Sequence, residues 1–213
     1  MPIDEVLYPV NLRVRGHSCL VVGGGKVALA KADGLLEAGA VVDVIAPEVV
    51  SELEARSGVT LHRRAYRSGD VEGYRLAVAA TGRAEVDAEV YRDGEAAGVW
   101  VNSADDPDHC SFTLPSRLRR GPLLVTCSTG GHSPALSRWL RQRLEQEIGP
   151  EYQTLLCLLS EARERIQSTG MHTEGLAWQD VLDSGMLELI RSGETGQAQA
   201  KIDRLVDNTL MSG

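Results

Sequence analysis

The sequence predicts an α/β fold built on a doubly wound parallel sheet, and three observations carry that prediction. Residues 18–47 read as strand, glycine turn, helix and strand. Strand-like and helix-like stretches then keep alternating as far as residue 105. The runs 19–22 and 76–80 are apolar at every position, as strands covered on both faces are.

The first strand covers 19–22 and feeds a turn in which Gly23, Gly25 and Ala28 fit the pattern G-x-G-x-x-G/A. Gly23 allows the tight turn, Gly25 lets backbone approach a pyrophosphate, and Ala28 keeps the helix close to the sheet. The helix predicted over 26–37 points its first N–H groups at that phosphate, and Gly39 stops it. A second strand follows over 41–45. A complete unit of this kind is the dinucleotide-binding fingerprint of a Rossmann-type sheet.

The acid that binds the ribose belongs about 20 residues on. Asp43 has the spacing but sits mid-strand, whereas Glu48 lies just past the strand in Ala46-Pro47-Glu48. No Arg or Lys occurs between Lys31 and Arg56, so the reading favours NAD over NADP.

Before this unit, residues 5–15 read as an entry arm or as a strand packed on the sheet edge, with Gly16-His17 as a solvated turn. After it come a helix over 48–56, a third strand over 59–66 at a sheet edge and a fourth over 76–80 ending at Thr81-Gly82. A helix over 87–97 and a fifth strand over 99–101 lead to Asn102-Ser-Ala-Asp105. Ligands sit beyond the C-terminal ends of such strands, which groups residues 23–27 (Gly23, Gly24, Gly25, Lys26, Val27), Ala46, Pro47, Glu48, Thr81, Gly82 and Asn102–Asp105 around one crevice.

The pattern changes near Phe112 to an extended segment, a Gly121-Pro122 turn, another strand, and a helix with Ser133 as N-cap and Pro134 as first residue. From Glu151 the chain reads as all helical, with Leu155, Leu158, Leu159 and Ile166 on one apolar face. Trp178, Val181, Leu182 and Leu189 form a second face, and Ala198, Ile202, Leu205 and Val206 a third.

The chain has 213 residues, 43% apolar, with Phe112 its only phenylalanine, so the core is aliphatic. A net charge of −8 argues against nonspecific nucleic-acid binding, and no apolar run reaches the length of a membrane span. Met1-Pro-Ile-Asp-Glu has no basic region or signal segment. Cys19, Cys110, Cys127 and Cys157 form no paired motif; they read as small buried thiols of a reducing cytoplasm, and no metal-ligand set is expected.

Two further stretches carry chemistry. Residues 102–112 gather three carboxylates and His109 at the ligand-facing end of the fifth strand. They form an acidic proline turn, a general base beside a nicotinamide, or an entry point for a cation, and Asp105 comes first after the strand. Residues 113–143 contain Arg117, Arg119, Arg120, Arg138, Arg141 and Arg143 and not one Asp or Glu. The run is either a solvated face with a turn or a site for an anion bearing several carboxylates.

The ordered set Leu20-Val-Val-Gly-Gly-Gly-x-Val-Ala, Lys31-Ala, Leu36-x-Ala-Gly-Ala40, Ala79-Ala-Thr81, Val101-Asn-x-x-Asp105-x-Pro107, Ser111-Phe112, Pro115-Ser116 and Ser128-x-Gly-Gly-x-Ser-Pro134 resembles the siroheme-synthase dehydrogenase/ferrochelatase family, the precorrin-2 dehydrogenases. The resemblance implies NAD-dependent oxidation of precorrin-2 to sirohydrochlorin in siroheme biosynthesis. Some members also insert Fe2+, which makes Fe2+ a second candidate substrate. It implies a cytoplasmic homodimer with an NAD-binding domain over 1–112, an α+β dimerisation and substrate region over 113–149, and a helical C-terminal domain over 150–213. The chain is too short to carry the methyltransferase domain that some members have fused behind these.

Residue by residue, the family's catalytic aspartate falls on Asp105 and its NAD contacts fall on Lys26, Val27, Pro47 and Glu48. Precorrin-2 is an octacarboxylate, which fits the acid-free run and makes Arg117, Arg120, Ser128, Thr129, Gly130, His132 and Arg138 candidate substrate residues. The competing expectation from another class is a non-catalytic NAD-sensing module.

Overall fold

The computed structural model describes residues 6–174 and 176–212, for Ser212 the backbone only. The first five residues, which include the start of the entry arm and the segment read for a signal, lie outside the described residues, as do Gly175 and Gly213.

Five parallel strands, β1 (Ser18–Val22), β2 (Val41–Ile45), β3 (Val59–His62), β4 (Leu76–Ala79) and β5 (Trp100–Ser103), form one sheet in the order β3-β2-β1-β4-β5. The order reverses at β1, which pairs with β2 on one side and β4 on the other, consistent with a Rossmann-like fold. Alternation along β1 divides the core between the two faces. Cys19 and Val21 pack with Ala28 and Ala32 of helix α1 (Lys26–Glu37) and with Leu53 of the short helix α2 (Ser51–Glu54). Leu20 and Val22 pack with Val90 of helix α3 (Ala84–Ala97) and with Val71 and Val101. Every strand residue of β4 is buried, which is why an unbroken apolar run was the right signature.

Several element boundaries differ from the sequence expectation, and four of the differences have an identifiable cause. The helix expected over 48–56 shrinks to α2 because Val50 N–H donates to Gly24 O at 2.8 Å and holds the chain extended there. The strand expected to reach Tyr66 ends at His62, because Arg64 turns to pair with Asp70 and the Tyr66 hydroxyl donates to Asp93 at 2.8 Å. The helix α3 starts at Ala84 rather than Asp87, since the Asp87 carboxylate turns back to accept from Thr81. The fifth strand begins one residue late because Val99 N–H is used by Gly94 O at 2.9 Å. The entry arm forms no strand among its described residues, and it contributes the buried Val14 to the α1 face.

The chain divides into two compact units, one running to Leu114 and including Thr129–Ser133, the other holding Pro115–Ser128 and the chain from Pro134 onward. The second unit contains the antiparallel hairpin β6 (Ser116–Arg120) and β7 (Leu123–Cys127) and helix α4 (Pro134–Glu147). It also contains α5 (Glu151–Gln167), α6 (Trp178–Leu182), α7 (Met186–Arg191) and α8 (Thr195–Ser212). The three expected apolar faces meet: Leu155, Leu158 and Ile166 of α5 pack with Met186, Ala198, Ile202 and Val206, and Trp178 lies against the same cluster. Among the described residues no helix is long and apolar enough to cross a membrane. All four cysteines are free, but only Cys19 is buried; Cys110 and Cys127 are half-buried and Cys157 is exposed. The last sits off the Leu155–Leu158 face that fills the helical core, so the expectation of four buried thiols fails there.

Candidate dinucleotide site

A cavity of about 450 Å³ opens at the C-terminal edge of the sheet, lined by the glycine turn, by Ala46–Val50 after β2, by Ala65 and Tyr66, and by Thr81, Arg83 and Val86 after β4. Seven of the residues expected at the crevice therefore come together here: Gly23, Gly24, Gly25, Ala46, Pro47, Glu48 and Thr81. Lys26 and Val27 open α1 as exposed residues directly behind Gly25 and are not among the lining residues.

The three glycines of the turn have different physical roles. Gly23 has φ +128°, and a Cβ there would stand 2.2 Å from Ala80 O. At Gly24 a Cβ would stand 1.9 Å from Glu48 O. These two let the turn pack between the chain after β4 and the chain after β2. Gly25 has no such demand, because a Cβ would meet nothing within 4 Å. It is the N-cap of α1 with no side-chain cap, so the first N–H groups of the helix are left for an anion. Open backbone at an uncapped helix start, facing a cavity, fits a dinucleotide pyrophosphate.

Of the two acids considered for the ribose, Glu48 lines the cavity and Asp43 does not. Asp43 lies 3.0 Å from His62 Nε2 on the neighbouring strand and also holds Tyr74. Burial first, and then the Asp43 charge, push the Tyr74 hydroxyl up to about 12. The Thr81 hydroxyl donates to Asp87 at 2.7 Å and accepts from Arg83 N–H at 3.0 Å, so its role at the cavity is to brace the chain after β4.

The strand-end loop after β5 separates its carboxylates. Asp106 accepts from His109 Nδ1 at 2.7 Å and from Asp108 N–H at 3.2 Å, and the His109 contact holds its carboxyl below the usual range. Asp105 is exposed, and among the described residues its carboxylate has no hydrogen-bond or ionic partner. It follows β5, whose neighbour β4 leads to Thr81, but it does not line the cavity. Asn102 is buried and turned the other way: its amide donates to Phe112 O at 3.0 Å and ties the returning segment to β5.

The anion-site candidates are distributed over both units and none lines this cavity. Thr129, Gly130 and His132 form a turn counted with the sheet unit, in which Thr129 Oγ1 accepts from Ser133 N–H at 3.1 Å. Arg117, Arg120, Ser128 and Arg138 belong to the second unit. Arg120 is committed there, donating to Ile148 O at 2.9 Å at the end of α4, while Arg138 is exposed. Sequence reading missed Tyr66, which lies in the chain after β3, and Arg83, which reaches the cavity because β4 lies beside β1.

Comparison with known proteins agrees with this geometry. A family model described as "Putative NAD(P)-binding" matches residues 10–116, and one described as sirohaem biosynthesis protein central matches residues 120–147. A siroheme synthase of Nitrosococcus oceani is 36% identical over 204 residues, covering 93% of this chain and 44% of its own length. A siroheme synthase of Methylococcus capsulatus is 38% identical over 196 residues, covering 90% of this chain and 41% of its own. The chain thus spans less than half the length of these curated relatives. The solved structure of SirC, precorrin-2 dehydrogenase, superposes with a TM-score of 0.74 at 25% identity, covering 95% of this chain and all of that one.

Proposed function

Because the chain belongs to the NAD(P)-binding family matched over residues 10–116, we propose that it is an NAD-dependent precorrin-2 dehydrogenase of siroheme biosynthesis. The observation that carries this reading is the open glycine turn at the sheet-edge cavity, followed in the same chain by a sirohaem-biosynthesis central segment. The named activity of the structural relative supports the substrate class.

When bound, NAD+ supplies the hydride acceptor. The chain's own residues do the rest. Gly25 and the first N–H groups of α1, with Lys26 and Val27, hold the pyrophosphate, and Pro47 and Glu48 hold the ribose, with Glu48 accepting from its diol. Asp105 takes the proton that leaves precorrin-2 as the hydride departs, so two electrons and two hydrogens leave the ring together. Thr81 and Asn102 fix the strand ends that frame the site. Arg117, Ser128, Thr129, Gly130, His132 and Arg138 would provide positive charge and donors for the octacarboxylate, and Arg120, held on Ile148 O, would add its charge.

The Asp105 carboxylate, unpartnered among the described residues, also supports a second reading, a bifunctional enzyme in which the same group accepts pyrrole protons as Fe2+ enters as substrate. A non-catalytic NAD-sensing module has no use for an acid-free, arginine-rich run over 113–143. Incubation with precorrin-2 and NAD+, then with sirohydrochlorin and Fe2+, separates the three. Sirohydrochlorin and NADH should form in equal amounts in the first mixture. NAD+ binding without turnover would leave the sensor.

We assign the NAD-binding domain to 1–112, the dimerisation and substrate region to 113–149 and the helical domain to 150–213. The protein is a cytoplasmic homodimer in this reading. Pairing of hairpin strands between protomers would cover sheet edges that a single chain leaves open, and exposed Leu136 and Trp139 on α4 support an interface there. Light scattering at micromolar concentration should return twice the chain mass; a monomeric mass would remove the dimer.

A further inference from the structure

Arg83 is the only cation among the described residues that line the dinucleotide cavity. Among the described residues its guanidinium has no hydrogen-bond or ionic partner. The backbone beneath it is held rigidly. Arg83 N–H donates to Thr81 Oγ1 at 3.0 Å, and the Thr81 hydroxyl and N–H both donate to the carboxylate of Asp87, which is 5% exposed. A buried carboxylate is thus spent on fixing the chain from which a free guanidinium projects at the cavity.

Sheet order decides which part of a dinucleotide this guanidinium meets. Gly23 follows β1, and β1 lies between β2 and β4. Glu48 follows β2, on one side of the glycine turn, and Arg83 follows β4, on the other. The turn packs against both sides: a Cβ on Gly23 would touch Ala80 O on the β4 side, and one on Gly24 would touch Glu48 O on the β2 side. An anion seated on the turn and the α1 start therefore lies beside the chain that carries Arg83. The acid after the second strand is the one expected at the ribose, so a 2′-phosphate would come toward Glu48.

We propose that Arg83 is the phosphate-binding cation of the cofactor site and grips the pyrophosphate rather than a 2′-phosphate. The proposal rests on the NAD(P)-binding reading and adds a residue to it. Two neighbouring charges then divide the labour: Arg83 provides affinity common to both dinucleotides, and Glu48 provides the choice between them by repelling a 2′-phosphate.

Calorimetric titration with NAD+, NADP+, ADP-ribose and adenosine tests this on the wild type, Arg83→Ala, Arg83→Lys and Glu48→Gln. A charge-assisted contact of this kind corresponds to about 10- to 100-fold in Kd. Arg83→Ala should weaken NAD+, NADP+ and ADP-ribose by that factor, leave adenosine unchanged and flatten the salt dependence of NAD+ binding. Arg83→Lys should recover part of the loss. Glu48→Gln should raise NADP+ affinity relative to NAD+. An Arg83→Ala protein that binds NAD+ as the wild type does, or that loses only NADP+, overturns the assignment. Failure of the wild type to bind any dinucleotide would instead overturn the cofactor reading itself.

Discussion

Gly25→Asp should abolish NAD+ binding while leaving the fold intact. The two halves of this expectation come from the same geometry. Gly25 sits at φ −86° and ψ −174°, extended backbone open to any residue, and a Cβ there meets nothing within 4 Å. Aspartate is a favoured N-cap, so α1 should gain a capping acceptor that it lacks now. The new carboxylate, however, occupies the uncapped helix start, where the cofactor's pyrophosphate would sit. It satisfies the N–H groups that would hold the phosphates and repels them by charge. Calorimetry should show no NAD+ binding at millimolar ligand, with circular dichroism and the melting temperature at or above the wild-type values. Gly25→Ala is the companion variant, because it adds the methyl without the charge and should retain measurable binding. Gly23 and Gly24 cannot serve this purpose. A side chain at either would drive a carbon to within 2.2 Å or 1.9 Å of a carbonyl oxygen and would test folding instead. A Gly25→Asp protein that binds NAD+ as tightly as the wild type would take the glycine turn out of the site.

The sheet unit was legible because its signals are local. Residues 19–22 and 76–79 are apolar at every position since helices or loops cover both sheet faces, and the glycine pattern lies between a strand and a helix. What was misread depends on contacts distant in sequence. Residues 48–50 look helical on their own but are held extended by Gly24, and Asp87 is a first-turn acid as expected, though of a helix that starts three residues earlier, at Ala84. The crevice was foreseen from strand ends, and Gly23, Gly24, Gly25, Pro47, Glu48 and Thr81 do line one cavity. Arg83 is not legible as a neighbour of the glycine turn because it follows β4, far along the chain from the first helix. Its proximity to the turn follows from β4 pairing with β1. Asn102 could not be read either: as a polar residue at a strand end it resembled a ligand contact, yet its partner is the carbonyl of Phe112, ten residues on.

Asp105→Ala should lower dehydrogenase turnover by about 10²–10⁴-fold, the usual contribution of a positioned general base, with NAD+ affinity nearly unchanged. The contrast with its neighbours gives the expectation its edge. Asp106 is saturated by His109 and by the N–H of Asp108, which fixes the turn after β5 and depresses its carboxyl. A carboxylate so engaged is a poor proton acceptor, and His109, tied to it and lying edge-on to Tyr91 at 5.2 Å, is restrained as well. Asp105 alone of the pair keeps its lone pairs free at the strand end beside the cofactor side of the sheet. Asp106→Ala and Asp108→Ala should therefore cost less than about tenfold, a loop-loosening effect expressed more in KM than in kcat. Initial rates of sirohydrochlorin formation for the three variants, measured side by side with NAD+ titrations, decide the matter. If Fe2+ insertion occurs, Asp105→Ala should slow it too, because the same oxygen atoms would receive the pyrrole protons. An Asp105→Ala enzyme running at full rate would reduce the residue to a turn-former and place the base at His109, His132 or in solvent.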